Sequence, residues 1–303
     1  MLGLIGLGRM GLSMAKRWRA RSLPVVGYDP DLEAQARARK EGIRVASSLA
    51  DLAGQLTSPK TFWLMVPAGA VDSVLEGLAP YLSPEDLVVD GGNSFYRESQ
   101  RRGEALAQKG VGFVDVGVSG GLWGAKEGYG LMVGGEARWV ARLEPYLAAL
   151  APEGGWVHAG TLGAGHYSKM VHNGVEYALM EAYAEGAELL YAGREELGLD
   201  PARILSAWRQ GTIVRSFLLD RLAEVVQGPL EGIAPLVEDS GEGRWAVEEG
   251  LRRGVALPAM AQALFARWES QGRAGLRFRL LALLRRAFGG HAVRREDEGE
   301  NLP

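Results

Sequence analysis

Four side chains of the kinds that move protons or hold a polar substrate lie within eight residues of one another. They are Lys169, His172, Asn173 and Glu176, in the run Gly165-His166-Tyr167-Ser168-Lys169-Met170-Val171-His172-Asn173-Gly174-Val175-Glu176-Tyr177. Their spacing is i, i+3, i+4 and i+7, so on a helix they share one face two turns long, with a rise of about 10.5 Å. Lysine and glutamate at i, i+7 do not form the usual i, i+4 ion pair. Met170, Val171, Val175, Ala178 and Leu179 read as packing residues, which would turn the polar face towards a crevice; a solvated helix face is the alternative. Gly160, Gly163 and Gly165 favour the crevice, because they let another group approach the helix start closely. In such a crevice, desolvation and a neighbouring positive charge would favour the neutral form of a lysine, and neutral lysine is a competent general base near neutral pH. A glutamate two turns away can be the acid at the other end of a substrate several carbons long.

A second group of residues suits a dinucleotide. Gly6-Leu7-Gly8-Arg9-Met10-Gly11 is a GxGxxG that follows an apolar run and opens a helical pattern. The glycines permit a tight turn, backbone approach to a pyrophosphate and close helix–strand packing, and the helix N-terminus offers free N–H groups. The next strand ends in Asp29, 18 residues after Gly11. A carboxylate there accepts hydrogen bonds from ribose hydroxyls and repels a 2′-phosphate, and Pro30 follows where an NADP site favours a basic residue. NAD is therefore expected rather than NADP; a cap for a helix starting at Asp31 is the alternative for Asp29. A cationic nicotinamide would supply the positive charge beside Lys169, and the base and acid together suit hydride transfer followed by a second proton-dependent step. Further candidates stand where strands end: Met65-Val66-Pro67-Ala68-Gly69, Asp90-Gly91-Gly92-Asn93-Ser94 and Ser119-Gly120-Gly121. Small residues with one amide suit a cofactor or substrate contact, and Ser-Gly-Gly makes a nest for a carboxylate. Ordinary turn chemistry is the alternative.

The elements that must position these groups fall into two parts. Up to about residue 160, short β-branched runs at 2–6, 24–29, 43–46, 61–66, 87–90, 111–116, 131–133 and 156–158 alternate with helical patterns. That alternation predicts an α/β fold, a doubly wound, mostly parallel sheet of Rossmann type over residues 1–162. Residues 163–303 read as an all-helical domain for substrate and oligomer contacts. One long helix is expected over 166–193, a restart at Asp200-Pro201, further helices near 213–226, 244–254, 258–270 and 276–288, and a frayed tail at 294–303. The 303 residues are 47% hydrophobic and 23% charged, ordinary for a globular chain with a sizeable core, and the net charge is −3 with no basic run to attract nucleic acid or an anionic membrane. There are no cysteines, so disulfides and thiolate metal sites are excluded. No stretch approaches the ~20 apolar residues of a membrane span, and the strand pattern from Leu2 leaves no room for a signal peptide, so a cytoplasmic protein is expected.

Taken together, these motifs resemble 6-phosphogluconate dehydrogenase in its short form, within the wider β-hydroxyacid dehydrogenases. The resemblance covers essentially the whole chain, through residues 6–11, 66–69, 90–94, 117–121, 169–177 and 285–291. It implies oxidation of 6-phosphogluconate at C3 with a nicotinamide cofactor, loss of C1 as carbon dioxide, and ribulose 5-phosphate as product. It makes Lys169 the base for the C3 hydroxyl and Glu176 the acid that protonates C1 of the enediol. It gives the cofactor Gly6, Gly8, Arg9, Met10, Gly11, Asp29, Val66, Pro67, Ala68 and Asn93. The sugar-acid phosphate falls to Asn93, Ser119, Gly120, Gly121, His172 and Asn173, with Tyr177 at its phosphate. Arg285 and His291, in a segment that resembles the family's Arg-Asp-Tyr-Phe-Gly-Ala-His, are expected to reach a neighbouring subunit's substrate in a homodimer or homotetramer. No metal is needed. The chain departs from longer members in lacking a large helical section, and its loop 238–245 is shorter and omits a phosphate-binding lysine, for which Arg244, Arg273 and Arg277 are candidate replacements. Two other functions fit less of this pattern: a simple β-hydroxyacid dehydrogenase of hydroxyisobutyrate type or an imine reductase, and a non-catalytic NAD-sensing protein.

Overall fold

The computed structural model describes residues 1–230, 232–270 and 276–293; Arg273 and the tail expected at 294–303 lie outside them. The chain divides into two compact units, Met1–Lys169 and Met170–Pro303.

The first unit is built on eight strands: β1 (Leu2–Ile5), β2 (Val25–Tyr28), β3 (Arg44–Val45), β4 (Thr61–Leu64), β5 (Leu87–Asp90), β6 (Gly112–Ser119), β7 (Gly130–Gly134) and β8 (Trp156–Gly160). Their order in one sheet is β3-β2-β1-β4-β5-β6-β7-β8. Every pairing is parallel except β6 with β7. Successive side chains on a strand point to opposite faces, and here both faces are covered. Leu2 and Leu4 of β1 and Trp63 of β4 join one buried cluster with Met14, Trp18 and Leu143, while Ile5, Phe62 and Leu64 join another with Leu52, Val88 and Leu106. Trp18 anchors the first cluster: its ring meets Trp63 edge-on at 5.2 Å, and its indole N–H donates to the Tyr146 carbonyl at 2.9 Å.

Most strand bounds differ from the sequence expectation by a residue or two, and at β4 and β6 the reason is visible. β4 stops at Leu64, so Met65 and Val66 already belong to the turn beyond it. β6 instead runs on to Ser119, because the short return to β7 makes an antiparallel pair that continues the ladder through Val118↔Leu131 and Ser119↔Gly130.

In the second unit the helices are Arg194–Leu197, Pro201–Trp208, Phe217–Val225, Glu242–Arg253, Pro258–Glu269 and Leu276–Gly289, with the remainder of the long helix Ala164–Ala192. Asp200 caps its helix by accepting from Arg203 N–H at 3.0 Å. The helix expected from 213 begins only at Phe217, because the Ser216 hydroxyl caps it there by accepting from Leu219 N–H at 3.1 Å. Met180, Ala184, Leu219, Leu222, Leu280, Leu281 and Leu284 form the core of this unit. Among the described residues, no helix is long and apolar enough to cross a membrane, and no group of three or more His, Asp or Glu could hold a metal ion.

Candidate functional site

The turn after β1 fits a dinucleotide. Gly6 has φ +98°, and a Cβ there would collide with the Met65 carbonyl; a Cβ at Gly11 would collide with the Gly6 carbonyl. Both glycines are therefore fixed by close backbone approach. Gly8 has open space where a side chain would be, and it starts the helix Arg9–Ala20, which has no side-chain cap and no acidic residue in its first turn. Those N–H groups are left for an anion. Asp29 has structural work as well: its carboxylate accepts from Leu7 N–H at 2.7 Å and from Asp31 N–H at 2.9 Å. It thereby ties the turn to the end of β2, while the cap of the next helix is Asp31, which accepts from Glu33 N–H at 2.8 Å. The carboxylate's remaining lone pairs can meet a ribose.

Beyond β4, Val66 and Pro67 lead into the single turn Ala68–Ala70, and the Val66 carbonyl stands 2.7 Å from where a Cβ on Gly92 would be. The loop after β5 is braced by Asp90, which accepts from Gly92 N–H at 3.1 Å and from the Ser94 hydroxyl at 2.7 Å and leaves Asn93 at the surface between them. Ser119 is the last residue of β6, and Gly120 and Gly121 take φ +126° and +49°, a backbone that favours glycine. This segment is fastened to the dinucleotide helix, because Tyr129 OH donates to Ser13 Oγ at 2.8 Å.

The start of the long helix is held against β6. Buried Asp115 accepts from Gly163 N–H and His166 N–H, both at 2.7 Å, and so caps the helix from a strand. Gly165 lies against the Asp115 and Met132 carbonyls, and Gly117 leaves no room for a Cβ beside that of Lys169. Lys169, His172, Asn173 and Glu176 follow on this one continuous helix, with His172 Nδ1 3.3 Å from Asn173 Oδ1 and 3.7 Å from Glu176 Oε2. Of the residues expected to pack, Met170 is buried, but Val171, Val175 and Leu179 are exposed, the last at 44%.

Tyr177 is buried in the second unit, its hydroxyl 3.3 Å from Ser240 Oγ. The guanidinium of Arg267 lies 3.3 Å above its ring. Arg267 is 2% exposed, donates to the Glu238 carbonyl at 3.2 Å, and is pulled down to about 10, first by burial and then by nearby Arg285. The sequence reading missed Arg267. Of the arginines it did weigh, Arg244 pairs with Asp239 at 2.6 Å beside a cavity of about 430 Å³, and Arg277 pairs with Glu181 at 3.2 Å. Arg285 was expected to serve a neighbouring chain. Within this chain it is buried, near enough to Arg267 for their charges to interact, and Leu280, Leu281 and Leu284 of its helix enter that unit's core. His291 follows the end of that helix, exposed, its ring 6.4 Å from that of Phe288. The structure thus brings Tyr177 and Arg267 into direct contact, with Arg285 near enough to influence the charge of Arg267.

Comparison with known proteins identifies the family. Residues 1–160 match the family model for the NAD binding domain of 6-phosphogluconate dehydrogenase, and residues 165–278 match that for the C-terminal domain of the same enzyme. The NAD(+)-dependent, decarboxylating 6-phosphogluconate dehydrogenase of Haloferax volcanii is 43% identical, with 98% of this chain and 99% of that protein covered. The Plasmodium falciparum 6-phosphogluconate dehydrogenase structure superposes with a TM-score of 0.80 at 28% identity, over 89% of this chain but 62% of that one. A 3-hydroxyisobutyrate dehydrogenase from Salmonella typhimurium shares the fold, with a TM-score of 0.74 at 22% identity over 92% of this chain and 98% of the other. With both family models matched in order and a full-length relative at this identity, the chain belongs to the 6-phosphogluconate dehydrogenase family.

Proposed function

We propose that this chain is an NAD-dependent, decarboxylating 6-phosphogluconate dehydrogenase that converts 6-phosphogluconate to ribulose 5-phosphate and carbon dioxide. The observation that carries the reading is the single helix bearing Lys169, His172, Asn173 and Glu176, in a chain of this family. Bound NAD supplies the hydride acceptor. Gly6, Gly8, Arg9, Met10, Gly11, Val66, Pro67, Ala68 and Asn93 hold it, and Asp29 meets the ribose and disfavours a 2′-phosphate. Lys169 takes the proton of the C3 hydroxyl as the C3 hydride leaves. The C1–C2 bond of the resulting β-keto acid then breaks, carbon dioxide departs, and Glu176 protonates C1 of the enediol. Ser119, Gly120, Gly121, Asn93, His172 and Asn173 hold the sugar acid.

Tyr177, Arg267 and Arg285 suit a phosphate, since buried guanidinium forks favour a dianion and neither arginine forms an ion pair among the described residues. That cluster favours a phosphorylated substrate over hydroxyisobutyrate, and the likeness to the hydroxyisobutyrate enzyme is one of fold. The division of labour at 1–162 and 163–303, a cytoplasmic setting and a homodimeric or homotetrameric working form belong to the same reading.

A panel of 6-phosphogluconate, gluconate and 3-hydroxyisobutyrate with NAD and NADP tests it, with carbon dioxide measured alongside reduced cofactor. One carbon dioxide per NADH from 6-phosphogluconate is expected. Comparable kcat/KM on 3-hydroxyisobutyrate without carbon dioxide would overturn the reading, and so would absence of turnover. Lys169→Met should keep NAD affinity and lose at least about a hundredfold in kcat, the usual worth of a general base.

A further inference from the structure

The catalytic reading leaves one buried, titratable ring unused. His166 stands three residues before Lys169 on the same helix and is 2% exposed. Its Nε2 lies 3.1 Å from the Gly92 carbonyl oxygen and its Nδ1 2.7 Å from Ser99 Oγ. These partners fix where the hydrogens are. A carbonyl oxygen only accepts, so Nε2 carries a hydrogen. The Ser99 hydroxyl is buried, and among the described residues its side-chain hydrogen-bond partner is this ring alone. A buried hydroxyl that did not donate would waste its hydrogen in an apolar setting, so it donates to Nδ1, which is bare. These partners together select the Nε2–H tautomer, and Ser99 sets it.

What this ring joins matters more than the ring itself. On one side is the carbonyl of Gly92, in the loop that presents Asn93 and that Asp90 braces from within. On the other is the first turn of the long helix, which Asp115 caps through Gly163 and His166 and which Gly117 and Gly165 let sit against β6. Lys169 is one turn further along. All of these groups lie within the first compact unit.

We propose that His166 is a positioning residue: its Nε2–H, oriented by Ser99, ties the Gly92 carbonyl to the turn that carries Lys169 and so sets the distance between the Asn93 amide and the base. The kinetic part of this inference rests on the proposed function; the structural part does not. An aromatic ring with two fixed hydrogen bonds is a stiff strut, and a shift of about 1 Å in a reacting group costs on the order of a hundredfold in rate.

The test uses the full chain and three variants: His166→Phe, which keeps a ring without the N–H; His166→Gln, which keeps a donor to Gly92; and Ser99→Ala, which removes the group that sets the tautomer. Long-range ¹H–¹⁵N spectra of the histidine rings, with the His166 signal assigned by its loss in His166→Phe, should show the Nε2–H tautomer. Amide exchange at residues 91–94 should quicken at least tenfold in His166→Phe and stay within threefold of wild type in His166→Gln. In steady state His166→Phe should lose ten- to a hundredfold in kcat, hold KM for NAD within twofold, and show a larger isotope effect on transfer of a C3 deuterium; His166→Gln should stay within fivefold. Ser99→Ala should move the same way by a smaller factor.

An Nδ1–H or doubly protonated ring overturns the proposal, and so does unchanged exchange at 91–94 in a folded His166→Phe protein. If His166→Phe does not fold, the wild-type tautomer and the exchange of Ser99→Ala decide instead. Wild-type protein that turns over no 6-phosphogluconate would sink the proposed function, while the tautomer and exchange measurements would still judge His166.

Discussion

Replacing Arg267 by methionine separates phosphate recognition from everything else the site does. The guanidinium is 2% exposed and spends one hydrogen bond on the Glu238 carbonyl. It has five N–H donors, so a fork remains for a phosphate. Its pKa, drawn down to about 10 by burial, still leaves it protonated at pH 7.5. A hydrogen bond to a charged group contributes about 1.5–3 kcal/mol, so loss of a two-point contact removes about 3 kcal/mol at the low end. At 1.36 kcal/mol per decade that is roughly a hundredfold in kcat/KM. The assay compares kcat/KM for 6-phosphogluconate and for gluconate in wild type and Arg267→Met. The loss should fall on the phosphorylated substrate alone and appear mainly in KM. Methionine is apolar and of similar length, and no carboxylate lies within ion-pair distance of Arg267 among the described residues, so Tm should not fall. An equal loss on gluconate in a protein of unchanged Tm, or less than tenfold on 6-phosphogluconate, would refute the reasoning.

Glu181 is pushed up to about 7, first by burial, against the pull of Arg277. A raised carboxyl holds its proton in the folded state after the unfolded chain has released it, so stability falls as pH rises from about 4.5 through 7. Glu181→Gln should therefore gain on wild type across that window by on the order of 3 kcal/mol, read by urea denaturation at pH 4.5 and 8; a pH-independent difference rejects it. Asp29→Asn with Pro30→Arg should move the ratio of kcat/KM for NAD over NADP at least tenfold towards NADP, and a wild-type preference for NADP would defeat the assignment of Asp29. If Arg285 completes a neighbouring subunit's site, as the sequence leads one to expect, mixing inactive Lys169→Met with inactive Arg285→Ala should return activity towards a quarter of normal after subunit exchange. No recovery despite proven exchange would mean that the arginine serves its own chain.

The parts of this molecule that were legible in its sequence are those written locally. The glycine turn, the Asp200 cap and the polar helix each depend on residues within about two turns of one another, where spacing alone decides which side chains meet. Arg267 was invisible for the opposite reason. It sits in Pro258–Glu269 among buried Ala263, Leu264 and Ala266, and its meaning comes from a ring ninety positions earlier. An arginine on the apolar face of a helix was the available signal. Val171, Val175 and Leu179 misled because hydrophobic residues on a helix tell how much apolar surface exists and not which side a core covers. Asp115 and His166 likewise carry no local pattern: a strand carboxylate caps a helix 48 residues on only because the sheet brings them together.

Gly117 and Gly165 have a consequence for how this chain can change. The turn that carries Lys169 fits β6 only where two side chains are missing, so part of the tolerance of the active geometry is stored in hydrogen atoms. A single methyl at either position leaves every charge, donor and acceptor of the site intact and acts as a wedge beneath the lysine. Mutational drift would then meet its steepest slope at two silent-looking positions, while many exchanges of surface charge would pass unnoticed.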